Sequence, residues 1–397
     1  MTVAMSYDLA MARGHIRTRP NGTFQVLVYA GRDPVTMRQR YLSGTAKTRK
    51  DAEKLLTSLL GQVDEQRSPT TRATVAYLLD RWLEVTDLEL TTRLTYEGYI
   101  QRSILPVLGD LPLRKVTVDV LDRFYVHLHA RGGRGGGALA PGTVRKLHFI
   151  LRAAFGLAVR WGWLSANPAE LAKPPRFVQA EVHPPTPAQV AQLLNAAWAR
   201  DPDFATLLWL AMTTGARRGE LCALRWPDVR LEERDLLVAR NYVQRGRHRK
   251  EKDTKTHQSR RIALDAETIA VLAEHLERCR ARAGTGGMEL VADGYVFSLV
   301  PDGREPLVPD SVTQRFRRLA KRVGVATHLH EFRHYSATQL IAAGVDLRTV
   351  AGRLGHGGGG ATTLRVYSHW VAASDQRAAE LLGRSVPRPG SRAPFAG

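Results

Sequence analysis

Six side chains in the second half of this 397-residue chain stand out among those able to bind an anion or move a proton: Arg217, Lys255, His330, Arg333, His356 and Tyr367. Arg217 and Arg218 stand beside Glu220 in TGARRGEL, and Arg217 and Glu220 lie one helical turn apart, so they share a face. Lys255 precedes SRRIAL, which reads as a strand. His330 and Arg333 have i, i+3 spacing in HEFRH, and RLGHGGGGATTLRVYSHW then supplies His356, a glycine run and Tyr367. Each has a bland reading when taken alone: a surface ion pair, a solvated lysine, a packed aromatic. HEFRH also fits the zinc-protease pattern H-E-x-x-H, with Glu331 as general base and His330 and His334 as ligands. Two features count against zinc. Arg333 places a full positive charge on the same turn, and no acidic residue follows His334 until Asp346, while Leu340 stands where a metzincin would have its third histidine.

The chain as a whole selects for an anionic partner. Lys and Arg number 58 against 38 Asp and Glu, a formal charge of +20 with a pI near 10.5, which points to a polyanion. Hydrophobic residues at 44% and charged residues at 24% are ordinary globular values, so the charge sits on folded domains rather than on a disordered tail. Two cysteines, Cys222 and Cys279, are too few for a disulfide framework and fit a reducing cytoplasm. The longest apolar run, FATLLWLAM at 204–212, is far short of the ~20 residues of a membrane span. No basic start followed by an apolar block marks a secretory signal.

The elements that must position these residues divide the chain into three parts and a tail. In 12–66, Phe24, Val26 and Val28 alternate as in a half-buried strand, RQRYLSG reads as a second strand, and Thr48 with Asp51 opens a helix whose face is Leu55, Leu56, Leu59 and Leu60. Arg38 and Arg40 lie among its basic residues. The segment 70–174 reads as all helical, with Val75, Leu78, Leu79, Trp82 and Leu83 at the start and Val144, Leu147, Leu151, Phe155 and Ala158 in its last long helix. Between them GGRGGGALAPG reads as a flexible loop, and without a G-K-[ST] ending it carries no nucleotide site. KPPRFVQAEVHPPT is a proline-studded linker. In 184–383 helices are expected at 186–200, 203–213 and 217–225, strands at LLVARNYV, RRIAL and YVFS, and further helices after these. DSVTQRFRRLAKRV buries Val312, Phe316, Leu319 and Val323, leaving Arg315, Arg317, Arg318, Lys321 and Arg322 for solvent or phosphate. Residues 384–397 read as a flexible tail. The fold class expected is α+β multidomain.

In this order the boxes TGARRGEL, the lysine before SRRIAL, HEFRH, LGH and TTLRVYSHW resemble the tyrosine recombinase (phage integrase) family. ILPVLGDLPLRKVT and GWLSANP are similar to its helical core-binding domain, and the first segment is similar to its arm-site-binding domain. The resemblance implies a mixed, mainly α catalytic domain. It makes Arg217 and Arg333 the catalytic arginines, Lys255 the mobile lysine, His330 and His356 the box histidines, Tyr367 the nucleophile and Glu220 a support for the first arginine. One departure is visible: His356 and Tyr367 are eleven residues apart, one or two more than usual, the extra length falling in Gly357–Gly360.

The implied reaction explains the residue types. Charge grows on the non-bridging oxygens of a phosphodiester as a nucleophile adds, and two guanidinium groups bind it through fixed N–H donors better than lysines could. A phenol of pKa ~10 needs a nearby acceptor or a positive field to attack at neutral pH, and His330 with the two arginines supplies it. Lys255 protonates the leaving 5′ oxygen, and His356 donates a hydrogen bond to the phosphate. No metal or other cofactor is called for. The implied activity is site-specific DNA recombination through a 3′-phosphotyrosyl intermediate, integrating and excising a mobile element. The implied partners are double-stranded DNA attachment sites held in a C-shaped clamp, three further copies completing a tetramer, and an excisionase or DNA-bending accessory protein, with no membrane. The implied place is the nucleoid. A non-enzymatic DNA-binding regulator shares the charge and the helices but has no use for the full set of Arg, Lys, His and Tyr.

Overall fold

The computed structural model describes residues 14–33, 37–64, 72–177, 183–246, 248–253 and 259–355. The chain forms two compact units, Met1–Gln179 and Ala180–Gly397. The first begins with a three-stranded antiparallel sheet in the order β1 (Gly14–Thr18), β2 (Phe24–Arg32) and β3 (Gln39–Ala46), followed by α1 (Arg49–Asp64). The alternation in β2 buries Val26 and Val28 against Ala52 and Leu59 of α1. Gly44, opposite Val26, has no side chain because a Cβ there would come within 2.7 Å of Leu55. Thr48 Oγ1 accepts the Asp51 backbone N–H at 3.2 Å, so the expected helix start is present. β1 was not expected: Ile16 is its one large apolar residue, too little alternation to mark a strand.

A helical bundle completes this unit: α2 (Val75–Val85), α3 (Leu90–Tyr99), α4 (Leu105–Leu108), α5 (Val118–Arg131) and α6 (Pro141–Arg160). A π turn at Ile100–Ile104 joins α3 to α4. The predicted apolar stripes of α2 and α6 are buried together around Phe124, Tyr125 and Phe155. GGRGGG, expected as a flexible loop, contains a 3₁₀ turn at Arg134–Gly136, which Gly135 (φ +67°) and Gly136 (φ +80°) permit.

The second unit is built on α7 (Pro187–Trp198) and α8 (Pro202–Thr214). α8 is apolar on almost every side and packs against its neighbours all round. Then come α9 (Arg218–Cys222), β4 (Val229–Arg230), β5 (Asp235–Val238), β6 (Arg240–Arg245), β7 (His248–Asp253), β8 (Arg260–Ala263), α10 (Ala266–Thr285), α11 (Pro309–Val323), α12 (Glu331–Ala342) and α13 (Leu347–Leu354). β4, β5 and β8 form one sheet, while β6 and β7 form a separate hairpin. LLVARNYV, expected as one strand, is therefore two, divided at Ala239 so that Leu236 and Val238 bury with β8 while β6 turns to β7. YVFS, also expected as a strand, makes only isolated bridges, Tyr295 to Arg225 and Ser298 to Pro306. Among the described residues no helix is long and apolar enough to cross a membrane.

Candidate active site

The geometry starts from the end of α8. Gly215 caps that helix in the left-handed region (φ +63°), and a Cβ there would lie 2.3 Å from Leu354 Cδ2 of α13, so glycine is required twice over. The sharp turn delivers Arg217 as N-cap of the short α9. The Glu220 carboxylate accepts both the Arg217 backbone N–H and its Nη1, each at 2.8 Å. Arg217 Nη2 donates to the Gly355 carbonyl at 3.0 Å. Burial alone would raise the pKa of Glu220, but hydrogen bonds and charge from Arg260, with those of Arg217, outweigh it and hold the group below the usual range. The shared face expected for Arg217 and Glu220 is thus a buried carboxylate holding a partly exposed guanidinium.

Arg333 comes from the first turn of α12 and is only 4% exposed. Its Nη1 donates to the Gly215 carbonyl at 2.6 Å, so one glycine ties the two arginine boxes together. His330 is the N-cap of α12 and is exposed beside them. Protein packed around the ring, then the charges of Arg333 and Arg217, lower its pKa below the ordinary histidine value. A neutral imidazole at pH 7 can accept a proton. Arg217, His330 and Arg333 line one cavity of about 390 Å³, together with Arg218, Arg317 and His328. Such a cavity, walled by cations and backed by the apolar Phe316 and Leu221, is suited to an anion whose charge must be held at fixed points.

The zinc-protease elements of HEFRH have other partners. Glu331 accepts hydrogen bonds from Thr327 Oγ1 and the His328 backbone N–H, tying the first residue of α12 to the turn before it. The His330 and His334 rings lie edge to face, 5.1 Å apart. Burial, His330 and Arg333 push the pKa of His334 down to about 4. Among the described residues no three His, Cys, Asp or Glu side chains are grouped to hold a metal ion.

Of the other sequence-predicted site residues, Lys255, His356 and Tyr367 lie outside the described residues. Among the DNA-contact candidates on α11, Arg317 lines the cavity and Arg318, Lys321 and Arg322 are exposed. Arg315 is paired with Asp201, its guanidinium 4.4 Å from the Phe204 ring centroid. Just before β3 Arg38 is exposed, whereas Arg40 within that strand pairs with buried Asp33 at 3.3 Å. Sequence reasoning missed Arg260 and Arg353. Arg260 Nη2 donates to Glu220 at 2.7 Å, and Arg353 Nη2 donates to the Thr213 carbonyl at 2.8 Å. The strand period of SRRIAL puts Arg260 and Arg261 on opposite faces, but which one points inward depends on the partner helix.

The Phage integrase family profile matches residues 186–373, and the profile for the phage integrase N-terminal SAM-like domain matches 74–129. Together they take in well over half of the chain. A tyrosine recombinase XerC-like protein of Caldanaerobacter subterraneus subsp. tengcongensis is 26% identical over 90% of this chain and 95% of its own length. The ICEBs1 integrase of Bacillus subtilis is 24% identical over 92% and 98%. Among solved structures, the Tn1549 transposon integrase in complex with transposon right-end DNA superposes with a TM-score of 0.66 at 22% identity, covering 78% of this chain and all of that one. A lambda integrase dimer bound to a COC′ core site gives 0.55 at 20% identity over 95% and 97%. At such identities the structural likeness establishes the fold, α+β with a small amino-terminal sheet and mostly helical domains. With two family profiles matched in order along the chain, it belongs to the tyrosine recombinase (phage integrase) family, the site-specific recombinases that cleave and rejoin DNA.

Proposed function

We propose that this chain cuts and rejoins duplex attachment sites through a 3′-phosphotyrosyl link, integrating and excising a mobile element. The observation that carries the reading is the convergence of Arg217, Arg333 and His330, from two distant boxes, on one cation-walled cavity. The two guanidinium groups bind the non-bridging oxygens of the scissile phosphate, and their N–H donors meet the charge that grows there during attack. Tyr367 is the nucleophile. His330, kept neutral by its surroundings, accepts the phenolic proton. Lys255 protonates the 5′ leaving oxygen, and His356 donates a hydrogen bond to the phosphate. The bond energy is conserved in the phosphotyrosine, so rejoining needs no external energy source.

The segments have separate tasks in this reading: 12–66 binds arm sites through its sheet face, with Arg38 and Arg40 as contacts; 70–174 grips the core site; 184–383 performs the chemistry; and 384–397 is a tail. Arg317, Arg318, Lys321 and Arg322 of α11 contact the DNA, while Arg315 is held by Asp201 and Phe204. Two duplexes with two strands each need four nucleophiles, hence four protomers, and a lambda integrase tetramer on a Holliday junction is one of the solved structures of this fold. An excisionase or bending protein sets direction, and the work is done at the nucleoid in the cytoplasm.

Labelled duplexes from the genomic neighbourhood test the proposal. A denaturation-resistant protein–DNA adduct should form in excess chelator, vanish with Tyr367→Phe and persist with Tyr335→Phe, Tyr335 being the half-buried tyrosine of α12 that follows His334 and packs against the core. Binding without an adduct would favour a non-catalytic regulator, and an adduct lost only with Tyr335→Phe would move the nucleophile.

A further inference from the structure

We infer that Arg260 is a positioning residue for DNA cleavage, locking the carboxylate that holds Arg217 and the end of α13 into one frame. Its guanidinium is committed to the protein on every nitrogen. Nη2 and Nη1 donate to the Glu220 carboxylate at 2.7 and 3.3 Å, and Nε donates to the Arg353 carbonyl at 2.9 Å. The side chain is 11% exposed and Glu220 2%, whereas Arg217 on the other side of the same carboxylate is 38% exposed. One carboxylate therefore serves two cations, the inner one bound by protein and the outer one open to the cavity. Carbonyls at the end of α13 and in its C-cap complete the frame: that of residue 353 receives Arg260, and that of Gly355 receives Arg217. Gly355 adopts φ +64°, and a Cβ there would lie 2.8 Å from Arg260 Nη1, so the chain passes directly against this guanidinium. Lysine could not reproduce the arrangement, because a point charge cannot fork to both carboxylate oxygens and also reach a third acceptor in a fixed direction.

The inference rests on the phosphate role proposed for Arg217, and its test separates the two. Single-turnover cleavage is measured on an attachment-site duplex and on the same duplex with a neutral methylphosphonate at the scissile position, beside the Kd for each. Arg260→Ala should slow cleavage of the natural duplex ~30-fold with Kd within ~3-fold, since a misplaced binding group costs rate more than affinity. Arg260→Lys should recover little of it. On the methylphosphonate, which removes the charge that Arg217 binds, the deficits of Arg260→Ala and Arg217→Ala should both shrink. Equal deficits for Arg260→Ala on the two substrates, or an unchanged rate, would overturn the inference. If the alanine variant fails to fold, Arg260→Lys is read by the same comparison. A deficit of Arg217→Ala that does not shrink would instead remove the phosphate role, and this inference with it. Shrinkage for Arg217→Ala alone would remove only the positioning role.

Discussion

Two carboxylates in the second unit each gather several cations, and they put them to different use. Asp203 accepts from His275 Nδ1 at 3.1 Å, from Arg278 Nε at 3.0 Å and from Arg282. Burial would raise its pKa, but those hydrogen bonds hold it far below the usual range. His275 is 1% exposed and its Nε2 meets the Val296 carbonyl at 2.8 Å. This cluster pins α8 to α10, and none of its members lines the site cavity. Glu220 collects a comparable number of donors, yet one of its two cations, Arg217, keeps an open face on the cavity. A buried ion cluster is by itself weak evidence of function, because its desolvation cost offsets much of its attraction. Arg282, at 39% exposed, is as open to solvent as Arg217 at 38%, so the informative feature is a held cation that lines the same cavity as Arg333 and His330.

That contrast can be broken in order of effect. Arg333→Ala should lower the cleavage rate ~10³-fold with little change in DNA affinity, as expected for a donor to the transition-state charge. An unchanged rate in the folded variant would make Arg333 a scaffold residue like Arg278, and rate and affinity falling together in a binding titration would make it a ground-state DNA contact. Gly215→Ala forces a side chain into the left-handed region and against Leu354. It should cost about 2 kcal/mol of stability in denaturant titration, and cleavage should fall as well, because the Gly215 carbonyl holds Arg333.

His275→Gln sharpens the other half. Asp203, Cys279 and the Val296 carbonyl raise the His275 pKa to about 9 against the opposing effect of burial. A pKa raised in the folded state stabilises fully below the unfolded value of ~6.5 and is lost as pH rises through the folded value. The loss in melting temperature from His275→Gln should therefore be larger at pH 6 than above pH 9, with cleavage by the folded variant unchanged. A loss independent of pH would mean that the ring packs there without its charge.

How much of this was legible depended on whether the partner was local. Arg217 and Glu220 are one turn apart, and the stripes of α2, α6 and α11 repeat at the helical period, so sequence alone placed them on common faces. The division of LLVARNYV at Ala239 was not legible, because the residues on both sides suit strands and the break arises from two separate pairing partners. The strand expected at YVFS failed for a related reason: Tyr295 and Ser298 find single bridges rather than a neighbouring strand. Arg260 and Arg315 looked alike as arginines on basic elements, and only the distant Glu220 and Asp201 show both to be held by the protein.

A matched pair of isosteric changes tests the central claim most directly. Glu220→Gln, at a buried carboxylate, and Asp203→Asn, at a half-buried one, each remove one charge while keeping shape, and melting temperature and single-turnover cleavage are measured on the same preparations of each. The account predicts that both lower the melting temperature, that Glu220→Gln slows cleavage ~10²-fold beyond any loss of folded protein, and that folded Asp203→Asn cleaves at the unchanged rate. Equal loss of rate in the two variants would contradict it.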